Sequence, residues 1–338
     1  MTASFLKPIR TVLGNPLARL MLSLLILGAL LYHLPLEKLW ETIRNVSLPV
    51  WLLTVLIFIT GHVAGAIKWR VLVNAGQQKL PFVVALRCHF AGLFANLFLP
   101  SLAGGDVVRA GLAIRPLKAK TAVILGGILD RFLDTASLAL IILGGAYLAP
   151  ATFSKADQHV LSFVFVLLSS IMVLGLLILI LPISNWLPKQ LHHPIQQTRE
   201  IIGQLLRTPW RAALALGLGL IMQVSFVGIN AFLGSLCGIH IPFSAWLLVW
   251  PLAKLSALLP ISMGGLGVRE AALAALLARL NIPLEMAVGV GLLWETVLVT
   301  GGLSGGAFYL IMNKTSLPLQ PIISAASTVS EEQMNETK

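Results

Sequence analysis

Charge is what this chain has least of. Only 11% of its 338 residues are charged, against about 25% in a typical soluble domain. Several stretches of about 20 apolar residues follow one another instead, each long enough to cross a bilayer. That excludes a large soluble domain and predicts an all-α polytopic membrane protein. Cysteine is nearly absent: Cys88 and Cys237 stand alone in apolar surroundings. They offer neither a disulfide framework nor metal-ligand spacing, and each reads as a small buried residue. Catalytic signatures are missing as well. There is no His-Glu-x-x-His, no Gly-x-Ser-x-Gly, no Gly-Lys-Thr phosphate loop and no His/Cys cluster, so no catalytic residue, metal or cofactor is expected. Acidic residues are few, 13 against 24 Lys and Arg, for a net charge of +11. The excess does not point to nucleic acid, because the positive charges gather in alternate connections between apolar runs, the positive-inside pattern. The first apolar run, Leu17 to Leu34, follows Lys7, Arg10 and Arg19 without a small-residue cleavage site. It is expected to stay as a helix rather than be removed as a signal peptide.

What the chain does have is a phrase written twice. Residues 99–110 read Leu-Pro-Ser-Leu-Ala-Gly-Gly-Asp-Val-Val-Arg-Ala, and residues 259–270 read Leu-Pro-Ile-Ser-Met-Gly-Gly-Leu-Gly-Val-Arg-Glu. Leu-Pro, Gly-Gly and Val-Arg recur in register at an offset of 160. At an offset of 161, Leu133-Asp134-Thr135 matches Trp294-Glu295-Thr296, and Gly144-Gly145-Ala146 matches Gly305-Gly306-Ala307. Pro- and Gly-interrupted apolar segments at corresponding places in two halves are a pointer to a transporter-like binding site.

The apolar segments fall at 17–34, 50–74, 82–98, 101–114, 121–149, 160–181, 211–238, 243–258, 262–280 and 285–311. Segments 82–98 and 243–258 are short, and each is broken by Leu-Pro before a further short piece. Proline removes a backbone donor, and the Gly-Gly pair lets the chain turn. Lys68, Arg70, Lys79 and Arg87 precede the first broken pair, and Arg109, Arg115, Lys118 and Lys120 follow it. With both flanks cytoplasmic, 82–114 is expected to be a re-entrant hairpin, and 243–280 a second one entering from the opposite face. Lys and Arg then divide as 17 inside, 6 outside and Arg131 within a helix, with the amino and carboxyl termini both cytoplasmic. Each half has three crossings and one hairpin, and an odd number of crossings inverts the second half relative to the first. The expected architecture is an inverted-topology repeat, 17–149 against 160–311, with about six full transmembrane helices and two hairpins. The alternative is eight full spans, with 82–98 and 243–258 crossing. Residues 1–16 form a cytoplasmic segment. Within the 150–210 connection, 184–210 reads as an interfacial amphipathic helix with Ile195, Ile202, Leu205 and Leu206 on one face. The 312–338 tail reads as disordered.

Candidate chemistry sits in two places. After each Leu-Pro break, Gly104-Gly105 and Gly264-Gly265 are expected to open a short helix. Its unpaired N–H groups and positive dipole end would face the membrane middle. Arg109 and Arg269 follow one turn later, and a guanidinium fork beside such N–H groups suits a phosphate. These six residues are the expected substrate-binding set. Inside the spans lie Asp130, Arg131, Asp134 and Glu295; insertion scales put a charge at mid-membrane at roughly 2.5–3.5 kcal/mol, so such groups pair or line a cavity. Asp134 and Glu295 are equivalent in the two halves, and Asp130 and Asp134 share a helix face. Two readings stay open: these groups take up protons or pair with Arg109 and Arg269 when no substrate is bound, or they are fixed ion pairs locking helices together. Asp106 and Glu270, close to the tips, join them as candidates for charge balance. Asn96, Gln223, Asn230, His62 and His89 read as hydrogen bonds between helices. Gly61-x3-Gly65, Gly301-x3-Gly305 and Gly302-x3-Gly306 read as close helix packing.

Taken together, these motifs resemble the transmembrane, flippase-like domain of the lysylphosphatidylglycerol synthases. The carrying residues are Trp69-Arg70, Asn96-x3-Pro100-x3-Gly104-Gly105-Asp106-x2-Arg109, Asp130-Arg131-x2-Asp134 and Pro260-x3-Gly264-Gly265-x-Gly267-x-Arg269-Glu270. The likeness covers about residues 15–312. It implies a membrane part that moves aminoacylated phospholipid between leaflets, beside a soluble domain that makes that lipid. With no synthase domain in the sequence, lysyltransferase activity is not expected. Stand-alone relatives are associated with lipid, hopanoid or polyprenyl-glycolipid pathways.

The expected function is therefore a flippase-like transporter in a bacterial inner membrane. It would carry a phospholipid, an aminoacylated phospholipid or a polyprenyl-phosphate glycolipid. Its expected partners are membrane lipids with anionic headgroups and enzymes of envelope-lipid synthesis. The alternatives are an intramembrane lipid-modifying enzyme and a non-catalytic partner of a glycolipid or cell-envelope synthase.

Overall fold

In lipid every backbone N–H and C=O must be paired within the chain, so an apolar sequence of this kind is forced into helices or a closed barrel. The computed structural model takes the first course. It describes residues 16–32, 34–76, 78–99, 104–117, 119–148, 192–257 and 265–314, with the isolated Ser170. The expected span 160–181, the terminal segments, and both Leu-Pro breaks with Pro100, Pro260 and Gly264 lie outside the described residues. Among the described residues all regular structure is helical: α1 (Pro16–Tyr32), α2 (Leu36–Arg44), α3 (Leu48–Asn74), α4 (Phe82–Ala95), α5 (Gly104–Leu117), α6 (Lys120–Leu148), α7 (His192–Arg207), α8 (Pro209–Leu236), α9 (Phe243–Ser256), α10 (Val268–Ala278) and α11 (Leu284–Lys314).

Three of these, α3, α8 and α11, are long and apolar enough to cross a membrane. α6 is as long, at 29 residues, but carries Asp130, Arg131 and Asp134 in its middle. The outward faces stay apolar, with Leu52 and Leu56 on α3, Ile221 on α8 and Leu303 on α11 exposed. A helix apolar all round belongs in lipid or a core. α4 and α9 have 14 residues each, about 21 Å at 1.5 Å per residue. Neither reaches across a hydrocarbon core of about 30 Å by itself.

The packing has a two-fold pattern. α3 packs on α8 at the centre. α4 packs on α5 as α9 packs on α10, α5 on α6 as α10 on α11, and α3 on α6 as α8 on α11. The short helices cross over: α4 lies on α11 of the second half, and α9 lies on α6 of the first. Exchanging α3, α4, α5 and α6 for α8, α9, α10 and α11 maps each of these contacts onto another. The glycines mark the closest approaches. A Cβ at Gly61 would stand 3.0 Å from the Phe226 ring where α3 meets α8, and one at Gly305 would stand 2.8 Å from the Phe90 carbonyl where α11 meets α4.

Two elements differ from expectation. No apolar segment covers 36–44, yet α2 forms there and buries Leu39 and Thr42 against Gly289 of α11. In the connection between the halves, α7 buries Ile201 and Ile202, while Leu206 is 71% exposed. The buried stripe is thus rotated by about one residue from the expected one, because α7 rests on α6 and α8 rather than on lipid alone.

Candidate functional site

The packing of the helices brings polar residues to one place. A cavity of about 390 Å³ lies between the halves, lined from α1, α3, α4, α5, α6, α8, α9, α10 and α11. Lys68, Arg109, Arg131, Lys254 and Arg269 face it, as do Asp106, Asp130, Asp134 and Glu295. Of the residues expected to bind substrate, Gly105, Arg109 and Arg269 line it. Gly265 sits behind the wall, where its φ of +86° and a Cβ position 2.5 Å from that of Ala257 require glycine.

On the first-half side, Arg109 Nη2 stands 2.9 Å from Asp130 and 3.0 Å from Asp106, and its guanidinium lies 4.6 Å over the Trp69 ring. Lys68 Nζ stands 3.1 Å from Asp130 and also pairs with Asp134. Arg131 closes the chain on Asp106. Lys68 is 1% exposed, a position tolerable for an ammonium only because two carboxylates hold it. Three cations thus meet three carboxylates in one continuous chain.

On the second-half side, Arg269 Nη2 stands 2.8 Å from Glu270 and pairs with Glu295. The other oxygen of Glu270 accepts a 2.6 Å hydrogen bond from the Gly267 N–H at the start of α10. In the first half, the Gly105 N–H donates to Asn96 Oδ1 at 2.8 Å. The N–H of Gly105, expected to await an anion, and that of Gly267, where α10 begins rather than at the expected Gly264-Gly265, are therefore held by side chains of the chain itself, and both arginines hold carboxylates.

The two halves reach the same charge pairing by different routes. Arg109 meets Asp130 of α6, and the corresponding residue of α11 is Gly291. Arg269 meets Glu270 of α10, and the corresponding residue of α5 is Ala110. The acid has changed helix while keeping its partner.

Lys254 differs from every other cation here. Among the described residues it makes no ion pair. Its ammonium donates to Gln223 Oε1 at 2.7 Å and lies 5.2 Å from the Phe226 ring. His62 packs on the same ring, 5.4 Å between centroids, and its Nδ1 lies 3.2 Å from His89 Nε2. The other nitrogen of His89 is 3.4 Å from Arg109. The rings of Trp250 and Trp294 complete the wall beside Lys254, and their buried indole N–H groups have no acceptor among the described residues.

By position along the chain, Lys68, Arg87 and Arg109 belong to the inside charges and Lys254 and Arg269 to the outside ones. The structure removes all five from those loops. Lys68, Arg109, Lys254 and Arg269 line the cavity, and Arg87 is buried, donating to Asn313 at 2.7 Å. Fourteen inside and four outside charges remain, so the bias keeps its sign. Lys68 and Lys254 stand near the ends of apolar runs, where the residue pattern does not tell which way a lysine turns. His62 and His89 do hydrogen-bond between helices as expected; what the sequence hid is that the pair faces the cavity.

Residues 17–304 match the family model of the lysylphosphatidylglycerol synthase TM region. Neither a curated protein nor a solved structure matches the chain.

Proposed function

The chain belongs to that family, and from this premise we propose that it is a flippase-like transporter, moving a lipid with an anionic, phosphate-bearing headgroup between leaflets. The observation that carries the reading is the cavity, where side chains of both halves meet and Arg109 and Arg269 arrive from corresponding positions. A closed soluble-type core has no use for nine charged side chains around one cavity. A transporter does, because a headgroup crossing the membrane must exchange water for protein partners.

In this reading α4–α5 and α9–α10 are the two re-entrant hairpins, and the second half is inverted relative to the first. The headgroup enters between their tips while the tail remains in lipid. Arg109 and Arg269, each keeping its carboxylate, turn their remaining guanidinium N–H groups toward the phosphate. Asp106, Asp130, Asp134, Glu270 and Glu295 hold the charges when the cavity is empty, and rocking of one half against the other opens the site to either leaflet. The chain catalyses no covalent step here. It resides in a bacterial inner membrane with both termini cytoplasmic, where enzymes of envelope-lipid synthesis supply or consume its substrate.

The test is mass spectrometry of lipids retained by gently purified protein, wild type against Arg109→Ala/Arg269→Ala. A specific phospholipid or polyprenyl phosphate, kept by the wild type and lost from the variant, is the expected result. Bulk lipid alone, the same in both, overturns the reading.

A further inference from the structure

Count the charges around the cavity. Lys68, Arg109 and Arg131 balance Asp106, Asp130 and Asp134 on one side. On the other, Arg269 stands against both Glu270 and Glu295, and Lys254 restores the balance from a distance. Among the described residues the charges around the cavity sum to zero with His62 and His89 uncharged. A phosphate headgroup brings one negative charge into this low-dielectric space, and an uncompensated charge there is costly. A proton alone leaves one positive charge. A phosphate and a proton together leave the cavity balanced.

The seats for both are present. Lys254 is the cavity cation that holds no carboxylate among the described residues, and Gln223 keeps its ammonium in place at 2.7 Å. Trp250, one turn earlier on α9, and Trp294 on α11 line the same cavity, and their indole donors have no acceptor among the described residues. For the proton, the five carboxylates are each already on a cation, which leaves the two imidazoles. His62 of α3 and His89 of α4 share one contact of 3.2 Å, and both line the cavity. They are faced by Lys68 on α3, Arg109 and Asp106 on α5, and Asp130, Arg131 and Asp134 on α6. From the second half, Lys254 on α9 and Glu295 on α11 face them, as does Arg269 at the start of α10, while α8 contributes the uncharged Gln223.

We propose that Lys254 is the seat of the headgroup phosphate, and that the His62–His89 pair takes up one proton with each anionic lipid. The proton comes from water on the side where the lipid enters and returns to water where it leaves, so lipid anion and proton move together with no net charge. The inference rests on the anionic-lipid reading above and names its coupling ion.

The experiment is isothermal titration calorimetry of the full chain in detergent with dioctanoyl phosphatidylglycerol, in two buffers of different ionisation enthalpy, with dioctanoyl phosphatidylcholine as control. The wild type is expected to take up about one proton per phosphatidylglycerol, and its affinity to fall about tenfold per pH unit as pH rises. Lys254→Gln is expected to weaken binding at least about tenfold, and Lys254→Arg to restore it. His62→Gln/His89→Gln is expected to bind without proton uptake. Phosphatidylglycerol binding by the wild type with no proton taken up overturns the proton site and leaves the lipid reading standing. Unchanged binding by Lys254→Gln overturns the phosphate seat. Equal binding of the two lipids by the wild type overturns the anionic-lipid reading itself. The wild-type proton count needs no variant, so misfolding of a variant does not rescue the proposal.

Discussion

Glu270 occupies the space that Gly291 leaves open: a Cβ at position 291 would stand 2.8 Å from Glu270 Cγ. In the first half the same two places are Ala110 and Asp130. The buried acid beside each arginine is therefore a property of the site, and which helix supplies it is free to vary as long as the facing residue is small.

Gly291→Ala is expected to destabilise the protein by about 1–3 kcal/mol through overpacking. Gly291→Asp alone is expected to be worse, adding an unpaired buried carboxylate. The double variant Glu270→Ala/Gly291→Asp copies the first-half arrangement and is expected to recover most of the loss. Thermal melting in detergent of the singles and the double checks this; a double variant no better than Gly291→Asp would mean that the two halves do not share one geometry.

Lys68 joins the two acids of α6. Lys68→Met is expected to cost about 3–5 kcal/mol by leaving buried carboxylates without their cation. Lys68→Met/Asp134→Asn is expected to cost clearly less than the sum of the single changes. A double-mutant cycle by melting measures the coupling, and additive losses would count against the pair.

Gly105 and Gly92 bring the backbones of α5 and α4 together. A Cβ at Gly105 would stand 2.2 Å from the Gly92 carbonyl oxygen, and backbone cannot move aside as a side chain can. Gly105→Ala is expected to prevent folding or to shift the melting point down sharply. Gly111 and Gly127 have nothing within 4 Å of a Cβ. Alanine at either is expected to be neutral or to stabilise by up to about 1 kcal/mol through helix propensity. Expression and melting of the three variants side by side decide it.

The inverted arrangement is checked by labelling. In a Cys88→Ser/Cys237→Ser background, Ala103→Cys and Met263→Cys are expected to react with an impermeant maleimide from opposite faces of the membrane. Labelling of both from one face sinks the inversion and leaves the two-fold packing without it.

Much of this was legible in the residue pattern. Long apolar runs predicted helices because nothing else satisfies a backbone in lipid, and α3, α6, α8 and α11 lie where those runs are. The repeated Arg109 and Arg269, and the in-span Asp130, Asp134 and Glu295, stood out because a charge in an apolar run needs a reason. Lys68 and Lys254 did not stand out. Near the end of an apolar segment a lysine looks the same whether it snorkels to water or turns inward to a carboxylate, and only the packing of α3 on α6 or of α9 on α8 distinguishes the two.

The sequence by itself determined that this is a helical membrane protein with two related halves and charges buried in its spans, because composition and spacing are local and lipid imposes one rule on them all. The tertiary structure decided the rest. It set Arg109 on Asp130 but Arg269 on Glu270, left Lys254 without a carboxylate among the described residues, and laid His62 against His89, residues 27 apart in the chain. Pairing of buried charges depends on which helix faces come within about 4 Å of each other, a distance fixed by how the helices pack and not by any spacing along the chain.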